Sequence, residues 1–250
     1  MSLEFNGEVL VPDLGADKIW RIVNTGSPGN FRVQGQINIQ PGTGPRHIAI
    51  HGKMVERCCV SAYDHSDNIL FTLHETASTL TAQLIPPAPN GTTLPLIANV
   101  SVVPSNPLPG SQFAAAEILI STPTDQFPDP LIYVSNRNIG NVTDPNGDTI
   151  AIFQFINGTA DTVSKKRMVR RPRNTPQTGT LQLLAQVPTG LQQIRSMTLG
   201  KVQDGGDHFI IAGANTQGGV AIFRRIDGGK NLTLVARNED IANRTSFVFV

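Results

Sequence analysis

The sequence predicts an all-β chain organised as a β-propeller with about four blades, and three observations lead there. Twenty-three glycines and 18 prolines break the 250 residues into short pieces, with no long run of apolar residues at helical spacing. Four segments then resemble one another: "EVLVPDLGADKIWRI" at 8, "NILFTLHETASTLTAQL" at 68, "PLIYVSNRN…DTIAIFQF" at 130 and "HFIIAGANTQGGVAIFRR" at 208. Each is an apolar strand, a polar turn and a second alternating strand, which is the pattern of a hairpin. Between the hairpins stand single strand candidates, so that a unit holds about four strands in radial repetition.

Taken in order, "FRVQGQINI" at 31 closes the first unit and "RHIAIH" at 46 opens the second. "AAEILIS" at 115 opens the third, "TLQLLAQV" at 180 closes it, and "IRSMTLG" at 194 opens the fourth. The units recur every 60 to 80 residues or so, wider than the roughly 40–50 of a typical blade. Segments 85–112 and 156–179, rich in Pro, Asn, Gly, Ser and Thr, account for the excess as surface loop insertions with little fixed structure. Residues 1–250 therefore read as a single propeller domain. It is expected to be partial, with the chain starting inside the second strand of a blade whose innermost strand is absent.

In a blade the innermost strand and the next run antiparallel, so the start of one and the end of the other emerge on one face of the disc. Starts of innermost strands carry Arg46, Glu117 and Arg195, and ends of second strands carry Asp13, Glu75, Arg137 and Asn215. The sequence thus aims a mixed-charge group of side chains at one rim of the central channel. Planar guanidinium forks match two oxygens, so such a rim suits a carboxylate or a developing oxyanion. Glu75 or Glu117 could exchange a proton if burial raised its pKa, whereas a salt bridge to Arg46 would lower the pKa and spoil it as an acid. His47 and His51 alternate to the side opposite Arg46 and read as packing between blades, and His74 likewise reads as structural. His65 and His208 have no spacing partner.

A formal charge of +1, a pI near 7.9 and 16% charged residues give no broad field for nucleic acid. The one basic run, "KKRMVRRPR" at 165–173, sits in loop-like surroundings without aromatic interleaving. No window approaches eighteen consecutive apolar residues, so no membrane span is expected, and "MSLEFNGEVL" lacks the organisation of a signal peptide. The chain as written reads as cytoplasmic, while six Asn-x-Ser/Thr sites (Asn90, Asn99, Asn141, Asn157, Asn231, Asn243) would suit secretion were a leader to precede it. Cys58 and Cys59 are adjacent, which suits a buried pair better than metal or redox chemistry. Serine-triad, P-loop and dinucleotide motifs are missing from the sequence.

The landmarks "VPDLGADKIWRI", "GTGPRHIAIH", "LHETASTLTA", "AAEILIS", "IYVSNRN" and "GGVAIFRR" together resemble the seven-bladed β-propeller lactonase family, whose members include bacterial 6-phosphogluconolactonase and fungal 3-carboxy-cis,cis-muconate cyclase. The likeness runs from residue 8 to the final "SFVFV" and looks nearest to the fungal branch. In the cyclase members a histidine, two arginines and a glutamate surround the ligand. The resemblance places the family's Gly-Pro-Arg-His arginine on Arg46, its glutamate on Glu75 and its Ser-Asn-Arg arginine on Arg137 as catalytic residues, with "AAEI" supplying Glu117. Glu117, Arg195 and Asn215 are expected to bind substrate. The family's His-Pro-His segment would stand before "NGEVLVPDLG", where this chain has "MSLEF".

The resemblance implies an enzyme acting on a small acidic lactone, or cyclising a carboxymuconate, without organic cofactor or metal; its partner is a small lactone or polycarboxylate rather than nucleic acid or membrane. A calcium-dependent lactonase is poorly served by an arginine-rich rim. The alternative is a catalytically silent propeller that binds a small anion or a protein.

Overall fold

The computed structural model describes residues 3–5, 7–51, 68–158, 178–241 and 246–247. Cys58, Cys59, His65, Asn243 and the basic run at 165–173 lie outside them. The described residues form four sheets in chain order, antiparallel except for one short parallel pair. The first holds β1 (Leu3–Phe5), β2 (Glu8–Asp13), β3 (Lys18–Asn24) and β4 (Phe31–Asn38). The second holds β5 (Pro45–His51), β6 (Ile69–His74), β7 (Thr79–Leu84) and β9 (Ala98–Ser101). The short β8 (Gly91–Thr92) lies between β7 and β9 in sequence but pairs in parallel with β4 of the first sheet. In the third are β10 (Ile118–Ile120), β11 (Leu131–Ser135), β12 (Thr149–Asn157) and β13 (Gly179–Pro188). The fourth comprises β14 (Ile194–Leu199), β15 (Phe209–Ala214), β16 (Val220–Ile226) and β17 (Asn231–Asn238).

The sheets touch in succession through β1, β5, β10 and β14, which are therefore the innermost strands. β9, β13 and β17 succeed one another at the outside. No helix among the described residues is long and apolar enough to cross a membrane.

Every hairpin expected from the repeat is present, but three expectations need correction. The innermost strand of the first sheet is not absent: β1 pairs with β2, Leu3 opposite Leu10 and Phe5 opposite Glu8. The segment 85–112 is not merely a loop, because β8 extends the first sheet and β9 closes the second through pairs such as Leu80 with Val100. β17, missed in the sequence, closes the fourth sheet. β1, β8 and β9 have only two to four residues, too few to show a pleat pattern, and β17 buries only Leu232 among its eight. Segment 156–179 contributes the end of β12 and the start of β13, and its centre lies outside the described residues.

The core lies in layers between sheets rather than in one mass. Leu10, Ile19 and Ile37 meet Ile48 and Leu70 between the first and second sheets. Phe71, Leu73 and Leu80 meet Ile118, Ile132 and Phe153 between the second and third. Tyr133, Ile150 and Ile152 meet Met197, Ile210 and Phe223 between the third and fourth. β6 is buried along its whole length because its alternate residues Leu70 and Phe71 enter different layers.

Two buried arginines belong to this framework. Arg21 donates to Glu8 at 2.7 Å and to the carbonyl of Pro86, binding the 85–90 segment to the first sheet. Arg225 lies 3.8 Å over the Phe127 ring and donates to the Tyr133 hydroxyl and the Asp207 carbonyl, each at 2.8 Å.

Phe71 is fully buried and stands edge-on to Phe155 at 5.5 Å, at the centre of the layer joining the second and third sheets. Phe71→Ala is expected to lower unfolding free energy by about 3–5 kcal/mol, since the rigid sheets on either side can close the cavity only in part. Urea denaturation followed by tryptophan fluorescence and circular dichroism measures it; a loss below about 1 kcal/mol would show that the layer collapses freely.

Candidate functional site

The site is built by an irregularity that three sheets share at the same place. In the ladder of β5 with β6, Pro45 pairs with His74 and His47 with Leu73, leaving Arg46 as an extra residue. In β14 with β15, Ile194 pairs with Ala214 and Ser196 with Gly213, leaving Arg195 extra. Before β10, Ala114 and Arg137 exchange both backbone bonds, while the Ala116 amide donates to the Ser135 carbonyl and the Ser135 amide to the Glu117 carbonyl, so Ala116 and Glu117 together oppose Ser135, leaving Ala116 extra. Such bulges re-aim side chains at the end of a strand. Here they turn Arg46, Ala116 and Arg195 into equivalent positions. Opposite them, Glu75, Arg137 and Asn215 are equivalent: their amides donate to the carbonyls of Gly44, Ala114 and Gln193, each two residues before the bulge.

The carboxylate of Glu75 sits between two guanidinium groups. One oxygen accepts from Nη1 of Arg46, and the other accepts from Nη2 of Arg137 at 2.5 Å. Each arginine is also fixed by backbone: Arg46 Nε donates to the Ala116 carbonyl at 2.9 Å and Arg137 Nε to the Ala114 carbonyl at 3.3 Å. Nη2 of Arg46 and Nη1 of Arg137 are left without a protein partner among the described residues. Burial alone would raise the pKa of Glu75, but the hydrogen bonds and charges of Arg46 and Arg137 outweigh it and hold the carboxyl below its usual range. Burial also pulls Arg137 down from the usual arginine value, against the opposing pull of Glu75, with Arg46 and Arg195 as nearby like charges.

Glu117 joins the group through a residue assigned elsewhere by sequence. Simple alternation puts His47 opposite Arg46, between blades. His47 does lie between blades, but the bulge breaks the alternation, so that it reaches the same neighbouring sheet as Arg46 and meets Glu117, Nδ1 against Oε1, across the gap between β5 and the segment leading into β10. This contact and the Arg46–Ala116 bond lie one residue apart on the same two strands. Nothing in the residue types of a single strand reveals an inserted residue; only aligning "PRHI", "AAEI" and "IRSM" by their hairpins would have exposed it.

Other expected residues divide. Arg195 is half-buried, close enough to Arg137 for their charges to interact, and has no ion pair or hydrogen bond from its side chain among the described residues. Asn215 stands exposed at the equivalent of Glu75, held by its backbone. Asp13 does not join: it pairs with Lys18 in the ladder, where His74 pairs with Thr79, so it lies one residue short of the Glu75 position. Its carboxylate accepts from the Ala16 amide at 3.1 Å and Trp20 Nε1 at 2.9 Å.

His74 is buried as expected, Nδ1 at 3.0 Å from Thr43 Oγ1 and Nε2 at 2.9 Å from Thr81 Oγ1. His51 is half-buried on β5, and His208 packs edge-on to Phe127 at 5.2 Å.

Two carboxylates that sequence reasoning passed over set the loops carrying the arginines. Asp17 accepts from the amides of Gly42 at 2.7 Å and Gly44 at 2.8 Å, just ahead of Arg46. Asp148 accepts from Asn138 at 3.1 Å and Gln193 at 2.6 Å, joining the residue after Arg137 to the loop before Arg195. Both stand immediately before the third strand of their sheet, as does Ser78, whose hydroxyl donates to the Phe113 carbonyl at 2.8 Å. No cluster of three or more metal-binding side chains occurs among the described residues.

A family model described as "Lactonase, 7-bladed beta-propeller" matches residues 4–249. A search of curated proteins gives no match. Among solved structures, a protein from Lactobacillus plantarum superposes with a TM-score of 0.64 at 18% identity, covering 98% of this chain and 56% of the other. A candidate 6-phosphogluconolactonase from Bacteroides uniformis ATCC 8492 gives 0.57 at 16% identity, with 93% and 52% covered. The periplasmic gluconolactonase of Pseudomonas aeruginosa gives 0.61 at 14%, with 95% and 53% covered. Identities this low speak to fold alone, and the chain spans about half the length of these structures.

Two buried groups behind the site give opposite pH dependences. Burial lowers His74 to about 4, outweighing the pull of Asp17, so its neutral form is favoured in the fold and stability falls as pH drops from 6.5 towards 4. Burial raises Asp148 to about 6 against its backbone hydrogen bonds, so its contribution rises as pH drops from 6 towards 3.8. His74→Gln should therefore make the protein gain stability on acidification from pH 6 to 4 relative to wild type, and Asp148→Asn should make it lose more. Denaturation midpoints at pH 7, 6, 5 and 4 check both signs; parallel curves for all three proteins would refute them.

Proposed function

The chain belongs to the seven-bladed β-propeller lactonase family, and we propose on that footing that it opens a small anionic lactone at the rim formed by Arg46, Glu75 and Arg137. The observation that carries this reading is the shared carboxylate of Glu75, which holds two guanidinium groups at fixed positions while each keeps one terminal nitrogen available. Donors fixed before substrate arrives stabilise a developing oxyanion without reorganisation during the reaction. Water adds to the acyl carbon, the carbonyl oxygen becomes the oxyanion facing the arginines, and the ring C–O bond then breaks to give a hydroxy acid. Arg195 supplies a further positive charge for a phosphate or carboxylate on the substrate, with Asn215 beside the rim and Glu117 bounding the pocket. Glu75, clamped on both oxygens and held below the usual carboxylate range, serves as the anchor of the arginines rather than as an acid.

Sugar lactones are the first candidates, because two of the structural neighbours carry gluconolactonase descriptions. No organic cofactor enters this scheme. Paired arginines could equally clamp two carboxylates, so cyclisation of a carboxymuconate is the second chemistry to assay.

The 250-residue chain is to be assayed on 6-phosphogluconolactone, glucono-δ-lactone and 3-carboxy-cis,cis-muconate, without added metal and then with calcium. Arg46→Ala is expected to lower kcat/KM about 10²- to 10³-fold on the substrate turned over, and Arg46→Lys to recover only part, since an ammonium lacks the planar fork. Equal activity of wild type and Arg46→Ala would remove Arg46 from the mechanism. Calorimetric binding of 6-phosphogluconate without turnover of any substrate would favour the silent, anion-binding propeller instead.

A further inference from the structure

We infer that His47 is the residue that moves the proton in this site, with Glu117 as its positioning partner. The inference rests on the lactonase reading above and supplies the group that reading lacks. Activating water needs a base with a lone pair and access to solvent or ligand. Glu75 fails, because both oxygens are occupied by Arg46 and Arg137. His74 fails as well, being buried with both nitrogens engaged by Thr43 and Thr81.

His47 meets both requirements. Its side chain keeps 17% of its surface accessible, and Nδ1 faces Glu117, whose side chain keeps 11%. An ionised carboxylate has no proton to give, so the hydrogen in that contact is the imidazole's own Nδ1–H. The tautomer is thereby fixed and the Nε2 lone pair is left as acceptor, without a protein partner among the described residues. The division of labour is that of a carboxylate orienting a histidine base.

The proton balance follows directly. Nε2 takes a proton from water as the water oxygen bonds to the acyl carbon, and the imidazolium is stabilised by Glu117. When the ring C–O bond breaks, the same proton passes to the departing alkoxide, leaving a hydroxy acid and neutral His47. The charged group in contact with the imidazole is Glu117 from the β10 segment; its neighbour on β5, Arg46, is paired with Glu75, which also holds Arg137.

The test compares the full chain with His47→Gln and Glu117→Gln on 6-phosphogluconolactone. His47→Gln is expected to lower kcat about 10²- to 10⁴-fold with KM nearly unchanged, and to abolish the acid limb of the pH profile. Glu117→Gln should lower kcat less and move that limb to lower pH, because the imidazolium loses its counter-charge. Retention of wild-type kcat and acid limb in His47→Gln would overturn the assignment. Nitrogen NMR gives a reading independent of turnover: neutral His47 should be the Nδ1–H tautomer in wild type and lose that preference in Glu117→Gln. If wild type hydrolyses no lactone, the lactonase reading fails on its own, while a predominant Nε2–H tautomer in wild type would still defeat the His47–Glu117 pair.

Discussion

A single carboxylate receives guanidinium groups from two different sheets, and much of the site depends on that fact. Glu75 directly follows the second strand of the second sheet; Arg46 is the second residue of the innermost strand of the same sheet, and Arg137 follows the second strand of the third. Without the carboxylate, a half-buried and a buried cation would face each other in surroundings that screen them poorly, a larger penalty than the loss of one hydrogen bond. With it, they are held near one another, each braced by a carbonyl from the 114–116 segment. The interaction thus joins neighbouring sheets at the inner rim, while the Phe71 layer joins them along their length.

The bulges explain why such different side chains gather at one rim. In the second, third and fourth sheets the innermost strand begins with one residue too many, so position-equivalent residues arrive in consecutive pairs: Arg46 with His47, Ala116 with Glu117, Arg195 with Ser196. Hairpin order and the common phase of Arg46, Glu75, Arg137 and Arg195 were legible in the sequence because both follow from counting along apolar strands. His47 was not, since period-2 counting fails where a residue is inserted. β1, β8 and β9 escaped for another reason. Strands of two to four residues, partly polar, contribute backbone ladders and little side-chain pattern.

The loops leading into the innermost strands are set by polar atoms rather than by apolar burial. Asp17, Ser78 and Asp148 occupy the same place in the first three sheets, immediately before the third strand, and each bonds backbone of the loop running to the next sheet. At Asp17 and Ser78 the backbone has φ of 50° and 49°, a conformation that short polar side chains tolerate in a tight turn. The repeat therefore contains two messages. The apolar one determines how sheets stack, and the polar one determines where each next innermost strand begins. Reading only the first reproduces the fold while leaving the two aspartates unexplained.

The charges at the rim are unevenly matched along the fan. Between the second and third sheets, Glu75 answers both Arg46 and Arg137, and Glu117 answers His47. Towards the fourth sheet the equivalent of Glu75 is the uncharged Asn215, so Arg195 has no carboxylate in the position where Arg46 has one. A half-buried cation beside another cation raises the energy of the empty site. An anionic ligand relieves that repulsion most where it is least compensated, which is at Arg195. For the proposed lactonase this asymmetry would give the rim a direction: the charged end of an anionic substrate would be drawn towards the fourth sheet, with its carbonyl beside Arg46, His47 and Arg137.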